Sequence, residues 1–285
     1  MRKVSSYEGR AAFAIVGLIT REDHMRRGYV DTPDGQIHYR IAGESGPTVI
    51  CLHESPVSSW EFEKALPLLG ARCRAIALDT PGYGQSDPPA EPLDMAGYAR
   101  RLLPAIEHFT SGQEFAFATV HTGTSIALEL ITEHLADRTT HAVFSGVPMF
   151  TPEQAKMFGT RITEPSMDAD GDFLKTMWAT RRKNWGEDTD LETIHAAIAQ
   201  HLMIYPRYHW AFKAVFSYDA KAALQKLTCP LYVINAEGDS LAQIDKEAAA
   251  MVPGAKFKLV PDVGGQLPYR APEVYAQEVL NFIGA

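Results

Sequence analysis

Cysteine is scarce: the 285 residues include three, Cys51, Cys73 and Cys229, with neither a CxxC pair nor metal-ligand spacing among them. That excludes a disulfide scaffold and a cysteine-built metal centre. Each cysteine lies in or beside an apolar, strand-like run, as a reduced core thiol would, which suits a cytoplasmic protein. A phosphate-binding glycine loop and a dinucleotide fingerprint are missing too, so no cofactor and no metal are expected. Basic charge is not in excess. The formal net charge of −8 favours solubility and argues against nucleic acid or an anionic membrane as a partner. A membrane-spanning run is also lacking. AAFAIVGLIT, between Arg10 and Arg21, is far too short to cross a bilayer. It resembles the core of a signal peptide, yet REDHMRR follows it without a small-residue cleavage site. Residues 1–24 are therefore read as an N-terminal extension, either a helix packing on the body or an appended segment.

What is present is ordinary globular material: 46% of residues are hydrophobic and 22% charged, enough for a sizeable core. Alternation organises it. Gly28–Thr32 and Ile37–Ala42 read as strands joined by a Pro-Asp-Gly turn. Thr48–His53 is a buried-type strand, Trp60–Leu69 a helix and Arg74–Leu78 a strand, followed by the loop DTPGYGQSDPP, whose Pro and Gly forbid regular structure. Ala96–Phe109 has helical period, Phe115–Val120 is a strand, Thr122–Leu135 a helix and Ala142–Ser145 another strand. From Pro148 to Ser217 the rhythm breaks into a helical block rich in aromatics, Met and His. Strand–helix alternation returns with Leu231–Asn235, Ile244–Met251, Phe257–Val260 and Pro272–Ile283. A hairpin followed by strand–helix units predicts a mostly parallel central sheet with helices on both faces. The inserted block would lie over the carboxyl ends of the strands, where such sheets bind ligands.

Four stretches then stand in a telling order: CLHESP, DTPGYGQSDPP, TVHTGT, and VINAEGDSLAQ followed by VPDVGGQLP. In these the chain resembles the α/β-hydrolase fold superfamily, over nearly everything after Met25. The resemblance implies a core of residues 25–147 and 218–285 with a helical lid at 148–217. It also implies a catalytic elbow, Gly-x-nucleophile-x-Gly. Here Thr119 falls on the first small position, His121 on the nucleophile and Gly123 on the last. Asp239 matches the triad acid, but the triad histidine is replaced by Gln266, and no histidine follows His209. The triad is thus degenerate. Gln266 cannot take up a proton near neutral pH, and Thr122 and Ser125, the nearest hydroxyls, lack a base, so serine-type acyl chemistry is not expected.

What survives is proton transfer. His121 would act as general acid or base beside an oxyanion hole made by the Thr122 and Ser55 amides. Glu54, where the family commonly has glycine, either faces His121 or points to solvent. Asp239 is either part of the site or only a helix cap in Gly-Asp-Ser. His53, Trp178, Arg181, Tyr208, His209, Trp210 and Gln266 are candidates to touch substrate. For His53 a structural role beneath the turn is the plainer reading, and Arg181 and Arg182 meet either a substrate carboxylate or solvent. The expected function is cofactor-free acid–base catalysis on a small, largely apolar carbonyl or ester compound, by hydrolysis or by a lyase- or cyclase-type step. The rival is a catalytically degenerate ligand receptor or carrier. The expected partner is a small-molecule substrate, with no nucleic acid and no membrane, and a homodimer stays open.

Overall fold

The Pro-Asp-Gly turn joins β1 (Arg26–Thr32) to β2 (Gly35–Ala42), paired antiparallel with Thr32 opposite Gly35. The computed structural model describes residues 25–162, 167–186 and 189–285, so the expected N-terminal extension lies outside them. The remaining strands are β3 (Thr48–Leu52), β4 (Arg74–Leu78), β5 (Phe115–Val120), β6 (Thr139–Ser145), β7 (Leu231–Ala236) and β8 (Lys256–Val260). They form one eight-stranded sheet in the order β1-β2-β4-β3-β5-β6-β7-β8, parallel from β4 to β8.

Helices cover both faces: α1 (Ala65–Gly70) and α11 (Pro272–Ile283) on one, and α2 (Met95–Thr110), α3 (Thr122–Leu130), α8 (Ala220–Gln225) and α9 (Ala242–Met251) on the other. The strands obey the two-residue period that this demands. In β5, Phe115 and Phe117 pack toward α2 and α3, whereas Ala116, Ala118 and Val120 pack toward α1 and α11. Such two-sided burial is why β5 reads as an unbroken apolar run. Among the described residues no helix is long and apolar enough to cross a membrane.

Two elements depart from the sequence reading. The helix expected over Trp60–Leu69 is split into a 3₁₀ turn, Ser59–Phe62, and α1. Ser58 accepts from the Trp60 amide at 3.2 Å, which starts a tight turn early. The helix expected over Thr122–Leu135 stays α-helical only to Leu130 and continues as one π turn, Ile131–Leu135. There the Thr132 hydroxyl donates to the Leu128 carbonyl at 2.9 Å and competes with the backbone ladder.

Between β6 and β7 lies a helical block: α4 (Pro152–Gly159), α5 (Asp172–Trp185), α6 (Leu191–Ile204) and α7 (Trp210–Ser217). Buried Trp185 ties it to the core through Val57, Trp60 and Tyr269. The Ser58 hydroxyl donates to Gln200 of α6 at 2.6 Å. A short helix, α10 (Leu267–Arg270), precedes α11.

Candidate active site

The ends of β3, β5, β6, β7 and β8 deliver one group each to the same spot, beside the β3–β5 junction where the strand order reverses. His121 is the hub. It follows β5 at φ 43°, ψ −107°, a conformation that a residue with a Cβ adopts only where its surroundings enforce it. Two glycines enforce it. A Cβ on Gly123 would fall 2.2 Å from the Leu52 carbonyl oxygen, so only glycine lets α3 start this close to β3. A Cβ on Gly146, just past β6, would fall 2.0 Å from His121 Cδ2. The imidazole lies in the space that Gly146 leaves.

The ring is held between two carboxylates. Nε2 lies 3.0 and 3.1 Å from the two oxygens of Asp239, and Nδ1 lies 3.3 Å from Glu54 Oε2. Both acid side chains are nearly inaccessible, at 4% and 5% exposed, while the imidazole keeps 20% of its surface open. A ring that donates from both nitrogens satisfies both neighbours, and that form is the imidazolium. Burial lowers its pKa, but the charge and hydrogen bond of Asp239, with Glu54 and Glu61 behind, raise it to about 10.

The acids divide the other way. Burial pushes Asp239 up, but His121 and the Leu241 amide, which donates to Oδ1 at 2.8 Å, hold it below the usual range. Asp239 is therefore the imidazole partner rather than a helix cap, since α9 is capped at Leu241 without any side-chain bond. Glu54 faces the site rather than solvent, and burial raises its pKa against the opposing charges of His121 and Arg181. Its Oε1 accepts from the Gln266 amide at 3.3 Å. Gln266, at φ 47°, thus turns toward Glu54 and leaves Asp239 to His121.

Two acids escaped the sequence reading. Glu61 is completely buried, accepts from the Glu54 amide at 2.9 Å, and is raised well above the carboxylate range by burial and by Glu54. Its only sequence signal is an acid between two aromatics, Trp60 and Phe62. Asp245, also fully buried, accepts from Gly146 and Val147 amides and from Asn235, at 3.2, 2.6 and 2.7 Å. It fixes the turn that makes room for the imidazole. Burial raises it to about 6.

The two amides expected to form an oxyanion hole, of Ser55 and Thr122, lie on adjoining turns after β3 and β5. The Ser55 amide donates to the Thr122 hydroxyl at 3.3 Å, and the Thr122 amide has no partner among the described residues. Of the two readings of His53, substrate contact or a structural role beneath the turn, its surroundings fit the second. It is fully buried, accepts from the Thr80 amide through Nε2 at 2.9 Å, and so must donate from Nδ1 to the Glu54 carbonyl at 2.7 Å.

The aromatic candidates sort by their neighbours. Trp178 packs on His195, ring centroids 5.0 Å apart, and belongs to the helical block's own core. The Tyr208 ring lies 4.5 Å from that of His201. His209 is buried at the start of α7, and Trp210, half-buried, opens that helix. Arg182 donates to the Thr189 carbonyl at 3.2 Å, whereas Arg181 stacks on Trp185 at 4.5 Å and its charge is felt at Glu54 and Glu61. A groove of about 400 Å³ lined by Glu237, Gly238, Asp262, Val263 and Gly264 runs past Asp239. It does not include His121, whose imidazole is one-fifth exposed between the two buried acids.

Comparison with known proteins agrees with this geometry at the level of fold. A haloalkane dehalogenase of Mesorhizobium japonicum is 41% identical over 64 residues, 22% of this chain and 21% of that protein. A 2-hydroxy-6-oxononadienedioate/2-hydroxy-6-oxononatrienedioate hydrolase of Pseudomonas putida is 40% identical over 73 residues, 24% of each. These matches span a quarter or less of the relatives' length. A hydrolase of Pseudomonas aeruginosa PA01 superposes with a TM-score of 0.76 over 91% of this chain and 98% of its own, at 19% identity, a likeness of fold alone. Residues 49–278 match the Alpha/beta hydrolase family as a whole, from β3 to α11 and so across every strand end that supplies the site, and to that family this chain belongs.

Proposed function

We propose that the protein is an enzyme that moves protons on a small, largely apolar carbonyl or ester compound without a cofactor, with His121 and Glu54 as its acid–base pair. The observation that carries this is the imidazole at the elbow apex, clamped by Asp239 at 3.0 Å and Glu54 at 3.3 Å with one-fifth of its surface left open. Environments that push neighbouring groups apart assign the roles. Asp239 stays anionic and fixes the ring. The His121 imidazolium donates to the substrate oxygen as charge grows there. Glu54, whose pKa burial raises, accepts the proton from carbon or from a water.

The Thr122 amide is free to join in. The 3.3 Å bond from Ser55 to the Thr122 hydroxyl is long, so a substrate oxygen displaces that hydroxyl for about 1 kcal/mol and completes the hole. No acyl-enzyme forms, because the apex atom is a protonated ring. The relatives' names support a water-using reaction, and a lyase- or cyclase-type step would use the same groups. The helical block over residues 148–217 is a lid in this reading, the partner is a small molecule, and the compartment is cytoplasmic.

One observation favours a second reading. Both ring nitrogens already face protein carboxylates, which would suit a receptor or carrier whose His121 only shapes the site. Two probes separate the readings: exchange of the α-protons of small aryl ketones into deuterated water, followed by NMR, and hydrolysis of p-nitrophenyl butyrate. His121→Gln and Glu54→Gln should each lower the rate of the reaction catalysed by about 10²–10⁴. Wild-type rates in His121→Gln would end the catalytic reading. Ligand binding without any turnover would favour the receptor. A fluorophosphonate should label no hydroxyl stoichiometrically, and labelling of Thr122 or Ser125 would refute the acid–base scheme.

A further inference from the structure

The helical block contributes a cation that pairs with no anion among the described residues. Arg181, on α5, lies with its guanidinium carbon 4.5 Å from the ring centre of Trp185. Trp185 is only 4% exposed and is wedged against Val57, Trp60 and Tyr269, so the guanidinium rests on a fixed platform. No described residue makes a hydrogen bond or ion pair with it. Glu54 is the nearest candidate by charge, yet both its oxygens are engaged, Oε2 by His121 and Oε1 by Gln266. Glu61 spends one oxygen on the Glu54 amide, and burial raises its pKa well above the usual carboxylate value. Burial lowers the guanidinium's own pKa, although its surface stays partly open. A half-buried guanidinium whose donors meet no acceptor among the described residues can take one from a ligand.

Other buried polar atoms near it have no partner either. His201, on α6, is 9% exposed, and neither of its ring nitrogens has a hydrogen-bond partner. Burial, with the charge of Arg181 added, lowers its pKa to about 3, so it presents one neutral donor and one acceptor. Beside Glu54, the side-chain oxygen of Gln266 is likewise buried and unpaired. Buried donors and acceptors left open in this way call for a polar ligand group.

We propose that the substrate carries a carboxylate, bound by the forked donors of Arg181, on an apolar body that reaches from the aromatic face of the helical block toward His121. A planar carboxylate is the anion that fits a guanidinium bidentately, and its remaining lone pairs suit the His201 donor. This rests on the reading of the surroundings of His121 as a substrate site. It goes further in naming the substrate class, an organic acid whose reacting carbonyl lies at a distance from its carboxylate.

The test is calorimetric titration of the full-length protein with 3-phenylpropanoate and with its uncharged counterpart, 3-phenylpropanamide. The wild type should bind the carboxylate about 10–100-fold more tightly than the amide. Arg181→Gln should erase that preference, and Arg181→Lys, which keeps the charge and loses the fork, should retain part of it. Unchanged far-ultraviolet melting of Arg181→Gln would show that the loss is local; if that variant unfolds, the partial preference of Arg181→Lys decides. Equal affinity of wild type for both probes, a preference that survives Arg181→Gln, or no carboxylate binding up to about 10 mM overturns the proposal. It fails separately from the catalytic reading. Carboxylate preference without His121-dependent turnover defeats only the latter, and His121-dependent turnover without preference defeats only this.

Discussion

His121→Gln removes a cation that the fold holds far more strongly than the unfolded chain does, and stability should record it. In the folded protein the ring's pKa is raised from 6.5 to about 10. At about 1.4 kcal/mol per pH unit, that rise amounts to stabilisation on the order of 5 kcal/mol at low pH. The ring is one-fifth exposed, so solvent screens only a minor part of it. Between pH 6.5 and 10 the folded state binds a proton that the unfolded state has released. This contribution is therefore complete below pH 6.5 and falls as pH rises, by up to about 1.4 kcal/mol per unit. Urea unfolding of wild type and His121→Gln at steps from pH 6 to 9.5 isolates it, because other titrating groups are common to both. The wild-type advantage should be largest at pH 6 and shrink steadily through pH 9. A difference that stays flat over that range, or an imidazole that titrates near 6.5 by NMR, would refute the imidazolium and the acid–base assignment built on it.

Two further substitutions probe the support around the ring. Glu61→Gln should change stability by less than about 1 kcal/mol, since burial already disfavours the charged acid and the amide oxygen can still accept from Glu54. Glu61→Leu, which orphans that buried N–H, should cost about 1–3 kcal/mol in the same urea assay. Gly146→Ala sets a methyl group where His121 Cδ2 now lies and must expel the ring from Asp239. The imidazole should then titrate near its ordinary value, and an unchanged titration by NMR would contradict the packing.

The fold was legible because its signals are local and redundant. The Pro-Asp-Gly turn, the unbroken apolar runs of β3 and β5 and the helical period of α2 each specify one element, and their order specifies the sheet. The same period gave no warning of the break at Ser59, where a single hydroxyl reshapes the chain. At the site, His121, Asp239 and Gln266 could be placed by motif, whereas the pairing of His121 with Asp239 and of Gln266 with Glu54 could not. A search for a histidine beyond Asp239 finds none, and so misses that its imidazole lies 118 residues earlier, on the elbow itself. The direction of Glu54 was undecidable because it lies in a turn, where no period fixes which way a side chain points. Glu61 and Asp245 carry little signal, since acids in apolar or helical surroundings are normally solvated. Only the three-dimensional crowding of Glu54, Gly146 and Asn235 around them reveals their use.

The imidazole at the elbow has a consequence for how this chain could change. Asp239 has its usual kind of neighbour, but that neighbour reaches it from β5, and Gln266 has taken up a different acid. Positions 121 and 266 therefore form a single exchange. His121→Ser alone would strand a buried aspartate without any ring to meet it. Gln266→His alone would crowd a second ring against the first and take away the amide that steadies Glu54. A path back to a serine nucleophile runs through two defective proteins, each worse than either end, so the present arrangement is walled in by its own geometry.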